Sequence, residues 1–404
     1  MMPTAPVTSK DRIVSLDVLR GFALLGILVM NIQSFSMPMA AYGNPTAFGD
    51  LTGINLRVWQ FSHIFFDTKF MSLFSLLFGA GVLLFIERAR ARGASAGFLH
   101  FRRSGWLIAF GLLHAHLLWF GDILYFYGVC ALLIFLFRNA SPRKLAISAL
   151  IFLAIGSGMS LSAGFTWDQW EEPHRLDMAR DWQPSTESID EEIAAFTGGF
   201  EAWIGLNRTV ATFMETFVLF FMLLWNVTGL MLLGMALYRW RVLSGERDAV
   251  FYRRLLAIGS ISGISLVVIG MVKNEAAGYS VEYSKFIGSQ WNYWGGVALA
   301  LGYVGLVIGM VRKGALPGLQ RRLAAVGRMA FTNYIMHTVL AVIIFRSFGL
   351  FGQVERSQQL AIVVAIWILQ LWLSPLWLAR YRFGPLEWLW RSLTYWQMQP
   401  FLRS

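Results

Sequence analysis

The chain has 404 residues, enough for two or three soluble domains, yet 56% of it is hydrophobic and only 14% charged, with a mean hydropathy of +0.55. That balance excludes an ordinary soluble enzyme and implies a membrane-spanning chain. The net charge of +11 raises nucleic acid as a partner, whereas a single cysteine, Cys130 in an apolar run, excludes a disulfide framework or cysteine-rich metal site.

Apolar runs of about twenty residues, enough to cross roughly 30 Å of hydrocarbon, predict ten helices. They cover 16–36, 68–87, 104–121, 122–138, 145–165, 209–238, 255–273, 291–311, 323–346 and 359–380. The expected fold class is therefore all-α: a polytopic transmembrane bundle in three parts, 1–165, 166–208 and 209–404. The first run is too long for a cleaved signal peptide and lacks a small-residue cleavage site behind it, so it is expected to stay as a span. The third and fourth runs, joined through "WFGDIL", form a tight hairpin. The run 209–238 is long enough to tilt or protrude.

Lys and Arg divide unevenly between alternate connections. With the N-terminus inside, 23 fall on the inner side, nine on the outer, and Arg20 and Arg328 just within helices. An N-in, C-in topology satisfies every loop. The basic charge then faces anionic inner-leaflet lipid and needs no nucleic acid to explain it. The hydrophilic stretch 166–208 carries ten acidic residues against three arginines. Ser188 stands three residues before Glu191 in capping-box spacing, which predicts short helices over the outer mouth. Both a lid and a solubilising loop fit that composition.

Polar groups inside apolar runs are costly unless paired or hydrated, which makes them site candidates. In "SLDVLRGFALLGILVMNIQSF" (15–35), Asp17 and Arg20 are i,i+3 neighbours. Asn31 lies three turns past Arg20, about 20° off its face. The stripe either lines a site or is an ion pair plus one packing asparagine. In "GLLHAHLLWFGDILYFYG", His114 and His116 point about 200° apart, so at most one faces a shared cavity. His114 and Asp122, on adjacent hairpin arms, can make an oriented general base; equally, Asp122 can cap the next helix. In "VGRMAFTNYIMHT", Arg328 and Thr332 are four apart, as are Asn333 and His337. Gly327 permits close approach of a backbone or ligand, and Arg20 and Arg328, at equal depth, suit an anion. His63, Asp67 and Lys69 at the start of the second run read mainly as structure. No metal motif, P-loop or nucleophile elbow is present in the sequence.

Together "LDVLRGFALLGILVMNI", "KFMSLFSLLFGAG", the His114 hairpin, "GRMAFTNYIMHT" and "GPLEWLWRSLTY" resemble the YeiB family, whose C-terminal half is the DUF418 domain. The resemblance covers nearly the whole chain in order. Members are described as uncharacterised or as transport proteins. The opening "LDxLRG" is more distantly similar to the first helix of the transmembrane acyltransferase superfamily. That group includes the O-antigen type and heparan-α-glucosaminide N-acetyltransferase. The O-antigen type carries an Arg and a His separated by ten residues here, and the matching pair is Arg20 and Asn31. The histidine is replaced, as in the heparan-type branch, so the base falls to His114.

This similarity implies an acyltransferase-like N-terminal part and an acyl-CoA donor reaching the cytoplasmic face of a bacterial inner membrane. Arg20 and Arg328 would hold its phosphates, His114 with Asp122 would deprotonate an extracytoplasmic or lipid-linked acceptor, and Asn31 or Asn333 would steady the oxyanion. Asp17, Thr332 and His337 would support them. The expected small molecules are this donor and acceptor, with no covalently bound cofactor. Alternatives are a transporter or exporter of a small or lipid-like molecule, weakened by the lack of a visible inverted repeat, and a non-catalytic membrane scaffold.

Overall fold

A computed structural model describes residues 13–403, so Lys10, Arg12 and Ser404 lie outside it. The first part comprises α1 (Val14–Ser36), α2 (Ala40–Gly43), α3 (Gly53–Phe65), α4 (Lys69–Ala91), α5 (Ala96–Leu117), α6 (Leu124–Ile134) and α7 (Pro142–Phe165). There follow α8 (Glu172–Trp182), α9 (Thr186–Thr197) and α10 (Phe200–Phe213), which continues through a π-helical stretch into α11 (Leu224–Arg239). The remainder is α12 (Ala249–Ala276), α13 (Ser289–Arg312), α14 (Pro317–Arg328), α15 (Ala330–Ala341), α16 (Arg356–Arg380) and α17 (Pro385–Tyr395). The protein is an all-α polytopic bundle. Among the described residues its only β pairing is an isolated bridge between Tyr381 and Leu402.

Among the described residues, eight helical stretches are long and apolar enough to cross a membrane. The other two expected runs are the hairpin arms. α5 has 22 residues but carries Arg102, Arg103 and three histidines; α6 has only 11, too few to cross alone. Two further differences have local causes. The expected 323–346 run is broken at Met329 (φ −113°, ψ 30°), so Arg328 ends α14 and Thr332 lies in the first turn of the next helix. They do not share a helical face. The run 209–238 starts earlier, because α10 leads into it from Phe200.

α1 sits in the middle, with 72% of its apolar window buried, against 22% for α7, α12 and α16. The peripheral helices turn Ile147, Leu150, Ile258, Ile261, Ile368 and Trp372 outward. Apolar side chains on the outside and a packed interior are what a lipid environment demands.

The acidic 166–208 segment is a docked cap rather than a loose loop. Glu192 accepts from Met39 N at 2.9 Å, and burial pushes its carboxyl above the usual range. Phe196 stacks on Phe351 with ring centroids 4.0 Å apart. Asn207 of α10 accepts from Phe120 N and donates to Ala115 O, gripping the α5–α6 turn. The cap of α9 is Ser185, whose hydroxyl accepts from Ser188 N. Ser188 therefore lies inside the helix, not at the capping position its spacing with Glu191 suggests.

Candidate functional site

α1 and α14 cross where two glycines meet. A methyl group on Gly21 would lie 2.0 Å from Leu323 O, and one on Gly327 2.0 Å from Asp17 O, so neither position admits a side chain. The crossing places Arg20 and Arg328 on the wall of one cavity of about 290 Å³. Arg20 pairs with Asp17 at 3.0 Å. Arg88, Arg92, Arg103, Arg382 and Arg391 bring further guanidinium groups to the same wall. From this basic end the lining turns apolar along Leu24, Ile27, Phe74, Phe78 and Leu107 and reaches Tyr127 and Tyr334. One cavity thus joins a guanidinium cluster to a greasy interior, the arrangement that accepts an anionic head with an apolar chain.

The C-terminal α17 completes the wall. Glu387 accepts from Phe331 N at 2.6 Å, Thr332 N at 3.1 Å and Thr332 Oγ1 at 2.6 Å. It satisfies orphan N–H groups in the first turn of α15, where the helix dipole favours a carboxylate. Burial nevertheless raises its pKa, with these hydrogen bonds opposing. Thr332 is thereby committed to Glu387. Trp390 lies 3.9 Å from the Arg103 guanidinium and donates to Arg103 O, fixing that arginine by stacking.

Beyond Tyr334 sits a sealed polar centre. His114 Nδ1 lies 2.8 Å from Asp122 Oδ1, and Asp122 Oδ2 accepts from Tyr125 N at 2.7 Å. Asp122 therefore both caps α6 and orients the histidine. Gly111 makes the pairing possible, since a Cβ there would lie 2.2 Å from Tyr125 N and 2.8 Å from Asp122 Oδ2. His114 Nε2 meets Thr338 Oγ1 at 2.9 Å. With the Nδ1 proton assigned to the carboxylate side, Nε2 accepts from the threonine hydroxyl. Tyr334 and Trp119 pack on the imidazole, with ring centroids 5.3 and 6.3 Å from it. His116 points elsewhere, as its spacing requires, and pairs with Glu215 at 2.9 Å.

The remaining expected residues are placed differently. Asn31 continues the face of Asp17, Arg20, Leu24 and Ile27 but lies one turn beyond the cavity. It has no hydrogen-bond partner among the described residues. Asn333 donates to Val326 O and Ser374 Oγ, and His337 pairs with Gln370 at 2.9 Å. These two lock α15 to α16 and do not line the cavity. Conversely, Thr338, Tyr334, Arg103 and Glu387 were not singled out by sequence reasoning. The sequence signal for Glu387 is its place in "GPLEWLWRSLTY", and for Tyr334 and Thr338 their place in "GRMAFTNYIMHT".

A second polar cluster, with Lys69 and Asn292 buried and His63 and Asp67 half-buried, occupies the break between α3 and α4, where Thr68 has φ 63°. His63 Nδ1 lies 3.0 Å from Asp67, Asn292 donates to Asp67 at 2.7 Å, and Lys69 donates to His63 O at 2.7 Å and to Asn292 Oδ1. Among the described residues, no group of three or more His, Cys, Asp or Glu is placed to hold a metal.

The comparisons with known proteins bear on the whole length. Uncharacterized protein YeiB of Escherichia coli (strain K12) is 33% identical over 394 residues, covering 95% of this chain and 96% of its own. The chain belongs to the YeiB family. Uncharacterized protein YxaH of Bacillus subtilis (strain 168) is 31% identical over 421 residues, covering 100% of this chain and 99% of its own. A family described as a protein of unknown function, DUF418, matches residues 237–397. In this YeiB-family chain the DUF418 match carries Arg328, Tyr334, Thr338 and Glu387, while Arg20, His114 and Asp122 precede it. Cavity and buried centre are both built between the two.

Proposed function

We propose that the protein is a membrane-embedded acyltransferase of the bacterial inner membrane, with the basic end cytoplasmic. The observation that carries this reading is the cavity itself. Its arginines suit the phosphates of an acyl-CoA-like donor, its apolar wall suits the acyl chain, and its inner end is Tyr334, the residue packed on His114. His114, held by Asp122, is the general base. The donor is an exchanging substrate, the acceptor a lipid-linked or extracytoplasmic hydroxyl or amine, and the remaining partners are membrane lipids rather than nucleic acid.

The test is binding of palmitoyl-CoA to purified protein in nanodiscs, compared with free CoA and with palmitate. The reading predicts that the intact ester binds most tightly. Arg20→Ala and Arg328→Ala should each weaken it about tenfold, in line with the loss of one charge-assisted contact. Equal, weak binding of all three ligands by wild type and variants contradicts it.

A second reading, export of an amphiphile, is favoured by one observation: the interrupted α3–α4 span with His63, Asp67, Lys69 and Asn292 at the break. Broken helices with buried ionisable groups suit ion-coupled transport. Substrate counterflow in proteoliposomes, abolished by Asp67→Asn, would favour it over the enzyme.

A further inference from the structure

We propose that Thr338 is the nucleophile of this transfer and carries the acyl group as an ester between donor and acceptor; the proposal rests on the acyltransferase reading. A threonine hydroxyl on an apolar helix ordinarily bonds the carbonyl four residues back. Thr338 Oγ1 instead faces His114 Nε2 at 2.9 Å, and the opposite ring nitrogen is fixed by Asp122 at 2.8 Å. Hydroxyl, imidazole and carboxylate in that order, each within hydrogen-bond reach of the next, are the arrangement that activates an alcohol for acyl transfer. Thr338, His114 and Asp122 are all buried.

Position adds a second argument. Tyr334 lines the inner end of the cavity, and Thr338 is one helical turn further along the same face. Once the Tyr334 ring turns aside, Thr338 is the first hydroxyl on α15 that the acyl carbonyl meets. On the other side of His114, Trp119 packs on Phe35 with centroids 4.2 Å apart and on Phe120 at 6.0 Å, closing the way to the far end. A donor entering from the arginines and an acceptor entering from the far end therefore do not occupy one continuous space. A covalent ester at the barrier lets the donor leave before the acceptor arrives.

The steps balance. The Thr338 hydroxyl proton passes to His114 Nε2 as Oγ1 bonds to the thioester carbonyl carbon. The carbon–sulfur bond breaks, and the departing thiolate takes that proton. In the second half an acceptor O–H or N–H gives its proton to Nε2 while its heavy atom attacks the ester carbonyl. The carbon–Oγ1 bond breaks, and Oγ1 recovers the proton.

The experiment incubates full-length protein in nanodiscs with acetyl-, octanoyl- or palmitoyl-CoA separately, without acceptor. Released thiol, intact mass and adduct-bearing peptides are then measured. The proposal predicts a burst approaching one thiol per chain. It also predicts an adduct on Thr338 that resists neutral hydroxylamine, which separates an oxygen ester from a thioester on Cys130. Thr338→Ser should keep the burst, and the near-isosteric Thr338→Val should reduce it at least 100-fold. Palmitoyl-CoA binding should survive in Thr338→Val, which checks its fold. An adduct on another residue, or a full burst in Thr338→Val, overturns the proposal. Palmitoyl-CoA binding by the wild type with neither adduct nor thiol burst also overturns it, leaving direct transfer by His114. Absence of both binding and thiol release removes the acyltransferase reading and this proposal together.

Discussion

Among the described residues are two histidine–aspartate pairs, one half-buried and one fully buried, and comparing them shows what makes one a site. His63 and Asp67 are i,i+4 neighbours beside a helix break, 3.0 Å apart. His114 and Asp122 come from two arms of a hairpin, 2.8 Å apart. In the first pair the carboxylate accepts from Asn292, whose Oδ1 accepts from Lys69, and Lys69 also donates to His63 O, so a buried cation closes a compact network beside it. In the second pair no cation stands beside the carboxylate; its other oxygen caps a helix, and the free ring nitrogen meets a hydroxyl. The second pair lies behind Tyr334, the end wall of the arginine cavity. Chemistry of the pair is shared; the third partner and the access differ.

Removing the two imidazoles in turn separates the two pairs most strongly. His114→Ala should lower acyl turnover by about 10²–10⁴-fold, the range of a general base, while palmitoyl-CoA binding remains. Asp122→Asn should approach that loss through the wrong tautomer, its side-chain oxygen still accepting from Tyr125 N. Turnover of His63→Ala per folded molecule should stay close to wild type. Equal losses from His63→Ala and His114→Ala would erase the distinction.

Next in size is Lys69→Met, which removes the buried ammonium that donates to His63 O and Asn292 Oδ1. The expected cost is about 1–3 kcal/mol of stability, as for buried acceptors left without a donor. It should be read as a lower thermal midpoint in detergent with little change in turnover at low temperature. A large turnover defect at unchanged stability would move the functional centre to the helix break. Arg20→Ala and Arg328→Ala follow, with effects of about tenfold on donor affinity rather than on the transfer step.

The smallest effect belongs to the cap. Burial raises the Glu192 carboxyl above its usual value near 4.5. In the window from 4.5 up to the folded value, the docked form binds more protons than the unfolded one. Stability of the cap should therefore fall as pH rises through that window. Glu192→Gln should flatten the dependence, by about 1 kcal/mol at most. Proteolysis rates of 186–197 across that range check it, and a cap that tightens with rising pH contradicts the sign.

Much of this was readable from sequence because it is local. Eight of the ten apolar runs coincide with helical stretches long enough to cross a membrane, and the hairpin brings His114 against Asp122. Gly327 marked a close approach that its contact with Asp17 O bears out. What was not readable depends on distant packing. Thr338 reaches His114 across 224 residues of chain, and a hydroxyl in an apolar helix has no periodicity to mark it. Likewise, Glu387 caps a helix 55 residues away, and the capping carboxylate left no local trace near Met329. The break at Thr68 was hidden because a left-handed backbone at a threonine is uncommon.

Delivery of an acyl group from the arginine cavity to the His114 centre is tested by a structure of the full chain in nanodiscs with a non-transferable thioether analogue of palmitoyl-CoA. Phosphate density is expected beside Arg20 and Arg328, chain density along Phe74 and Phe78, and the thioether end against Tyr334. Density for the analogue at another place on the protein, with this cavity unchanged, would contradict it.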